Sequence, residues 1–113
     1  MNAAVLYGEL AAWPDMERMV AILQAAGLHP RVGKFSIRIE DLPHFTLQEY
    51  GGDLGAPRIE ADAEDVETLT VEAKRLSEIF ADAGLVHRFE IYEDGGEEMS
   101  RYFRHGRPRA AGT

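Results

Sequence analysis

Ile22-Leu23-Gln24-Ala25-Ala26-Gly27-Leu28 returns as Ile79-Phe80-Ala81-Asp82-Ala83-Gly84-Leu85 at a constant offset of 57 residues. Each copy reads as the end of a helix running into a strand. Upstream of the first, Met16, Met19, Val20, Leu23 and Ala26 recur in steps of three or four, and Pro14 or Asp15 suits the first turn. Upstream of the second, Val66, Leu69, Ala73, Leu76, Phe80 and Ala83 keep the same period, with Asp62 or Asp65 as the N-cap. Gly27 and Gly84 then supply left-handed caps, and the leucine after each packs back on its helix. Any glycine-stopped helix with a hydrophobic follower looks like this; the alternative is two βαβ halves related by a pseudo-twofold.

The segments between the helices favour the second reading. Val5, Leu6 and Tyr7, inside Ala3 to Leu10, read as a short buried strand. Phe35, Ile37 and Ile39 alternate with Lys34, Ser36, Arg38 and Glu40, the period of a half-buried strand. Asp41-Leu42-Pro43 connects it to a second alternating run from His44 to Tyr50, and Arg58 to Ala61 reads as a short extended piece. Phe89 and Ile91 mark a strand from His87 to Glu93, Asp94-Gly95-Gly96 turns the chain, and Met99 to Arg104 folds back as an edge strand. The expectation is a two-layer α+β fold, a ferredoxin-like split βαβ plait (βαββαβ) with strand order 4-1-3-2 and an extra C-terminal edge strand. Residues 1–105 form one domain, 106–113 a disordered basic tail. The expected core is Val5, Tyr7, Met19, Leu23, Phe35, Ile37, Ile39, Phe45, Leu47, Leu69, Leu76, Phe80, Phe89 and Ile91, with Tyr7 in conflict with the parity of Leu6.

Composition narrows the function classes. A chain of 113 residues can bury a core without a disulfide or a structural metal, and the absence of cysteine excludes thiol nucleophiles, zinc ribbons and iron–sulfur clusters. Apolar runs are too short to cross a bilayer and the N-terminus lacks a signal-peptide pattern, so a cytoplasmic protein with no membrane partner is expected. The net charge of -8 argues against nucleic acid. Charge is unevenly placed: residues 40–67 hold nine acids and one base, whereas 101–113 hold four arginines and no acid. That acidic stretch, with Glu60, Asp62 and Asp65, reads as a solvated face or as a patch for a basic partner.

Under the plait topology Glu9, Trp13, Glu40, Asp41, His44 and His87 share one rim. Histidine beside carboxylate is acid–base chemistry, so His44, His87 and Glu9 are the candidate catalytic residues. Two strand spacings, ~9.6 Å, separate the histidines, too far for a shared metal unless the side chains converge. No H-E-x-x-H pattern occurs, and no metal or cofactor is expected. The opposite rim gathers Arg31, Lys34, the 94–96 turn and the glycine-rich 51–57 segment, which fits no phosphate-binding or calcium-loop pattern. Ser36 and Ser77 lack a nucleophile elbow. Trp13, Arg38, Tyr102 and Phe103 are candidate binding residues, Phe103 being flanked by Arg101 and Arg104.

These features favour a small acidic binding or regulatory module without catalysis of its own, acting on a protein partner or as a homodimer through a sheet edge, the sheet face or the acidic patch. An immunity- or antitoxin-type inhibitor of a basic protein is one alternative. A small dimeric plait-type enzyme or ligand binder with a histidine acid–base group is the other. A flat polar sheet face favours interaction; an apolar cavity opening onto a histidine favours an enzyme.

Overall fold

Asp15 and Asp65 start the two helices in the same way. Each sits in extended backbone and accepts from the amide three residues on: Arg18 N at 2.8 Å from Asp15, Thr68 N at 2.7 Å from Asp65. The computed structural model describes residues 3–48, 57–93 and 99–105. In chain order it runs β1 (Ala4–Leu10), α1 (Met16–Ala25), β2 (Pro30–Val32), β3 (Ile37–Ile39), β4 (Phe45–Gln48), β5 (Arg58–Ala63), α2 (Val66–Asp82), β6 (His87–Glu93) and β7 (Met99–His105). The architecture is mixed α+β: two helices over one antiparallel sheet of seven strands in the order β2-β3-β4-β5-β1-β6-β7.

Both helices end as the repeat implies. Gly27 and Gly84 have φ of 85° and 77°, the region where a Cβ is penalised. The Leu28 amide donates to Leu23 O at 3.0 Å and Gly27 to Gln24 O at 2.9 Å; Leu85 donates to Phe80 O at 2.8 Å and Gly84 to Ala81 O at 3.0 Å. These are two Schellman caps built from matching positions.

The strand order corrects the expected plait. Counting the strands read from the sequence, 4-1-3-2 puts the run at 44–50 beside β1; instead β5 lies there, pairing Tyr7 with Glu60 and Leu6 with Ala61. The segment expected as a short extended piece is thus a central strand. Its alternation is carried by Ile59, Ala61 and Ala63, and alanine is too weak a hydrophobe to announce a buried face. β4 pairs with β5 on one side and β3 on the other, which pushes the Ile37–Ile39 run one place outward. β2, unforeseen, extends the sheet beyond it, and β7 closes the other edge against β6.

Three core assignments change. Ala4, Leu6, Gly8 and Leu10 face the helices, so Val5 is only half-buried and Tyr7 is 56% exposed. Gly8 is why this parity works: Phe89 packs over it, and a Cβ there would stand 2.7 Å from the Phe89 ring. Phe35 lies in the turn before β3, where the Gly33 amide donates to Ser36 O at 2.7 Å, and is 41% exposed. The other expected core residues are buried, with Ala4, Leu6, Leu28, Leu42 and Ile59 added. Their centre is an aromatic cluster, Phe89 against Phe45 (6.3 Å), Phe80 (6.0 Å) and His87 (5.1 Å), filling the space under α2. The glycine-rich segment to Ala56, the 94–96 turn and the tail after His105 lie outside the described residues.

Candidate functional site on the open sheet face

Alternation sends one side chain of every pair to the helices and the next to the opposite face, which the described residues leave uncovered. The registers place seven residues of that face in one row across all seven strands: Arg31, Arg38, Thr46, Glu60, Tyr7, Glu90 and Tyr102. On one side of it Asp62, Val5, Tyr92 and Met99 form a second row. On the other lie Gln48 paired with Arg58 and, from β1 outward, Glu9, Arg88 and Arg104. The face is therefore mixed, tyrosine rings standing among charges of both signs. Tyr102 and Met99 are 44% and 45% exposed.

The charges are organised in pairs. Arg31 Nε meets Glu40 Oε2 at 2.6 Å, Arg58 pairs with Glu60, and Arg88 bridges Glu9 and Glu90. The Tyr92 hydroxyl donates to Glu90 Oε1 at 2.9 Å, and its ring meets Tyr7 edge-on at 6.2 Å. That hydrogen bond, then burial and the Glu90 charge, push the Tyr92 hydroxyl above its ordinary 10.0. Arg38 stands apart: among the described residues it makes no ion pair. It borders a shallow depression of about 320 Å³ with His44, Thr46, Gln48, Glu60 and Asp62. A second depression, about 400 Å³, lies toward β7 among Glu9, His87, Arg88, Tyr102 and Arg104.

The two histidines do not share a rim. His87 pairs with Leu10 at the end of β1, whereas His44 precedes Phe45, whose partner Ala61 sits near the β1 start. The correction follows from the strand order: placing β5 between β4 and β1 reverses the direction in which β4 runs relative to the expected third strand. His44, 33% exposed, donates from Nδ1 to Glu72 Oε2 on α2 at 2.6 Å. The Glu72 Oε1 atom is buried without a hydrogen-bond partner among the described residues. His87 is 3% exposed; its Nδ1–H donates to Leu85 O at 2.9 Å, which leaves Nε2 to accept from the Ser77 hydroxyl at 2.6 Å. With Phe80 and Phe89 against its ring, His87 is a joint between α2 and β6.

Other expected site residues take structural places. Trp13 is half-buried and Phe103 pairs with Phe89 across the β6–β7 ladder; both pack on the core. Asp65 caps α2: the Thr68 amide, then the Thr68 side chain, hold its carboxyl below the ordinary 3.8. Glu60 and Asp62 stand on the open face with Arg38 and Tyr102. Sequence reasoning missed the Ser77–His87 pair, whose only signal is one helical turn plus the Gly84 cap between them. It also missed the contact of Asp41 with His29: the Asp41 carboxylate accepts the His29 amide at 2.6 Å and is held below its ordinary 3.8 chiefly by that bond. No three metal-ligating side chains converge among the described residues, and no helix there is long and apolar enough to cross a membrane. Comparison of the chain with protein-family models, with curated proteins and with solved structures finds no match.

Proposed function

We propose that this chain is a small cytoplasmic binding or regulatory module, without catalysis of its own, that acts through the open face of its sheet. The single observation behind this reading is the seven-residue row, where exposed Tyr7 and Tyr102 stand among Arg38, Glu60 and Glu90 on a face the helices leave bare. Tyrosine and arginine on a broad, shallow surface are the composition of protein contact sites rather than of small-molecule pockets. We also propose that β4-β5-β1-β6 with the two helices is a split βαβ plait, enlarged by β2 and β3 at one edge and β7 at the other. The matched Schellman caps and the neighbour order of these four strands support it. The acidic surplus discourages nucleic acid and gives a basic protein partner a faster approach.

A photo-crosslinking amino acid at Tyr7, compared with the same group at Val71 on the outer face of α2, tests the surface. Val71 is 68% exposed and serves as the control. Adducts in native host lysate at Tyr7 and not at Val71 are expected; adducts at Val71 alone, or at neither, would refute the reading.

A second reading has one observation of its own. Glu72 fixes the ring of His44 beside the 320 Å³ depression, the arrangement of an oriented acid–base group. Small polar ligands that shift the His44 ring and the Thr46 and Glu60 amides together in NMR spectra would support it, and their failure to do so would retire it.

A further inference from the structure

Resting on the open face as the binding surface, we infer that its occupant is the same face of a second copy, packed sheet on sheet about a twofold axis that runs parallel to the strands between β5 and β1. Rotation about that axis sets β5 over the second copy's β1, β4 over its β6 and β3 over its β7. In the middle row Glu60 then faces a Tyr7 hydroxyl, Thr46 faces Glu90, and Arg38, the cation without an ion pair among the described residues, faces the ring of Tyr102. Carboxylates meet hydroxyl donors and the guanidinium meets an aromatic face. In the flanking rows Asp62 meets Val5, and Arg58, one step past the Gly8–Ile59 pair, meets Glu9. No like charges oppose each other.

Four other placements of the axis do worse. An axis perpendicular to the strands and passing through the middle row lays that row on itself, Glu60 over Glu60 and Arg38 over Arg38. An axis on β5 opposes Glu60 with Glu60 and Arg58 with Arg58; an axis on β1 opposes Glu60 with Glu90. An axis between β4 and β5 avoids these clashes but leaves Met99 and Tyr102 of β7 uncovered, both nearly half exposed. With the axis between β5 and β1, six strands overlap. The shorter strand limits each overlap, to β5 against β1, β4 against β6 and β3 against β7; at about 3.3 Å per residue and ~4.8 Å per strand this is on the order of 400 Å² per copy, so the pair buries roughly 800 Å², the size of a weak, reversible contact. Aligned sheets pack with their strands within about 30° of each other, which keeps the central pairs nearest the axis in register.

Thr46 gives the test, because its side chain faces Glu90 twice in such a dimer. Sedimentation velocity of the full chain is run over a dilution series for wild type, Thr46→Glu and Thr46→Arg, with circular dichroism melts to show that each is folded. Wild type dimerises, Thr46→Glu weakens dimerisation at least about tenfold, and Thr46→Arg strengthens it. Equal dissociation constants for all three, or a wild type monomeric up to on the order of 100 μM, would overturn the self-pairing. In that case adducts of a different mass at the Tyr7 crosslinker would preserve the face as a binding surface, and no adducts there would retire both.

Discussion

Gly8 is the residue on which the parity of β1 turns. Phe89 occupies the space a side chain would need, so Gly8→Ala forces the ring or the strand to move. The expected cost is about 1–3 kcal/mol, read as a lower urea midpoint at unchanged slope. Ser77→Ala removes the hydroxyl that donates to His87 and should cost about 1 kcal/mol by the same measurement. Neither role is legible from composition. The sequence reading puts Tyr7 in the core although Leu6 has the opposite strand parity. The structure reverses this because a neighbouring strand's phenylalanine fills the glycine's place, information that lies 81 residues downstream of Gly8 at Phe89.

At the scale of elements, the helices were legible in full and the sheet in part. α1 and α2 announce themselves by local signals: Asp15 and Asp65 at one end, Gly27 and Gly84 at the other, steps of three and four between. The N-cap of α2 has a pH signature. The Asp65 carboxyl titrates below its ordinary 3.8 when folded, so its contribution is present above that pH and is lost as pH falls through the lowered value. Asp65→Ala should lower the melting temperature at pH 7. Asp65→Asn, still an N-cap, should keep it there but melt with a shallower loss as pH falls below 3.8. Strands carry weaker signals, because each needs a partner distant in sequence. β5 hid behind two alanines, and once it was missed, β4 was assigned to the wrong neighbour and His44 to the wrong rim. β7 was legible because only residues 94–98 separate it from β6 in the sequence. Removing residues 99–113 strips the Phe103 ring from Phe89 and exposes the β6 edge. A lower melting temperature or precipitation is expected on thermal scanning, and an unchanged melt would contradict the packing.

For the whole molecule, the layers determine what remains available for function. Two helices cover one face of a seven-stranded sheet, and the other face carries tyrosines between arginines and carboxylates. The candidate residues Arg38, Glu60, Asp62 and Tyr102 came from separate arguments in the sequence and fall on this one face. Trp13, Phe103 and His87 did not, because burial, which no local pattern reports, assigned them to the core. The most direct measurement is oxidative footprinting of Tyr7, Tyr92, Tyr102 and Met99 by hydroxyl radicals across a concentration series, with Phe35 in the β2–β3 turn as the internal control. The open-face residues should become protected together as the protein concentrates while Phe35 stays reactive. Reactivity of all four that is independent of concentration, or protection that appears first at Phe35, would contradict the open sheet face as the surface on which two copies meet.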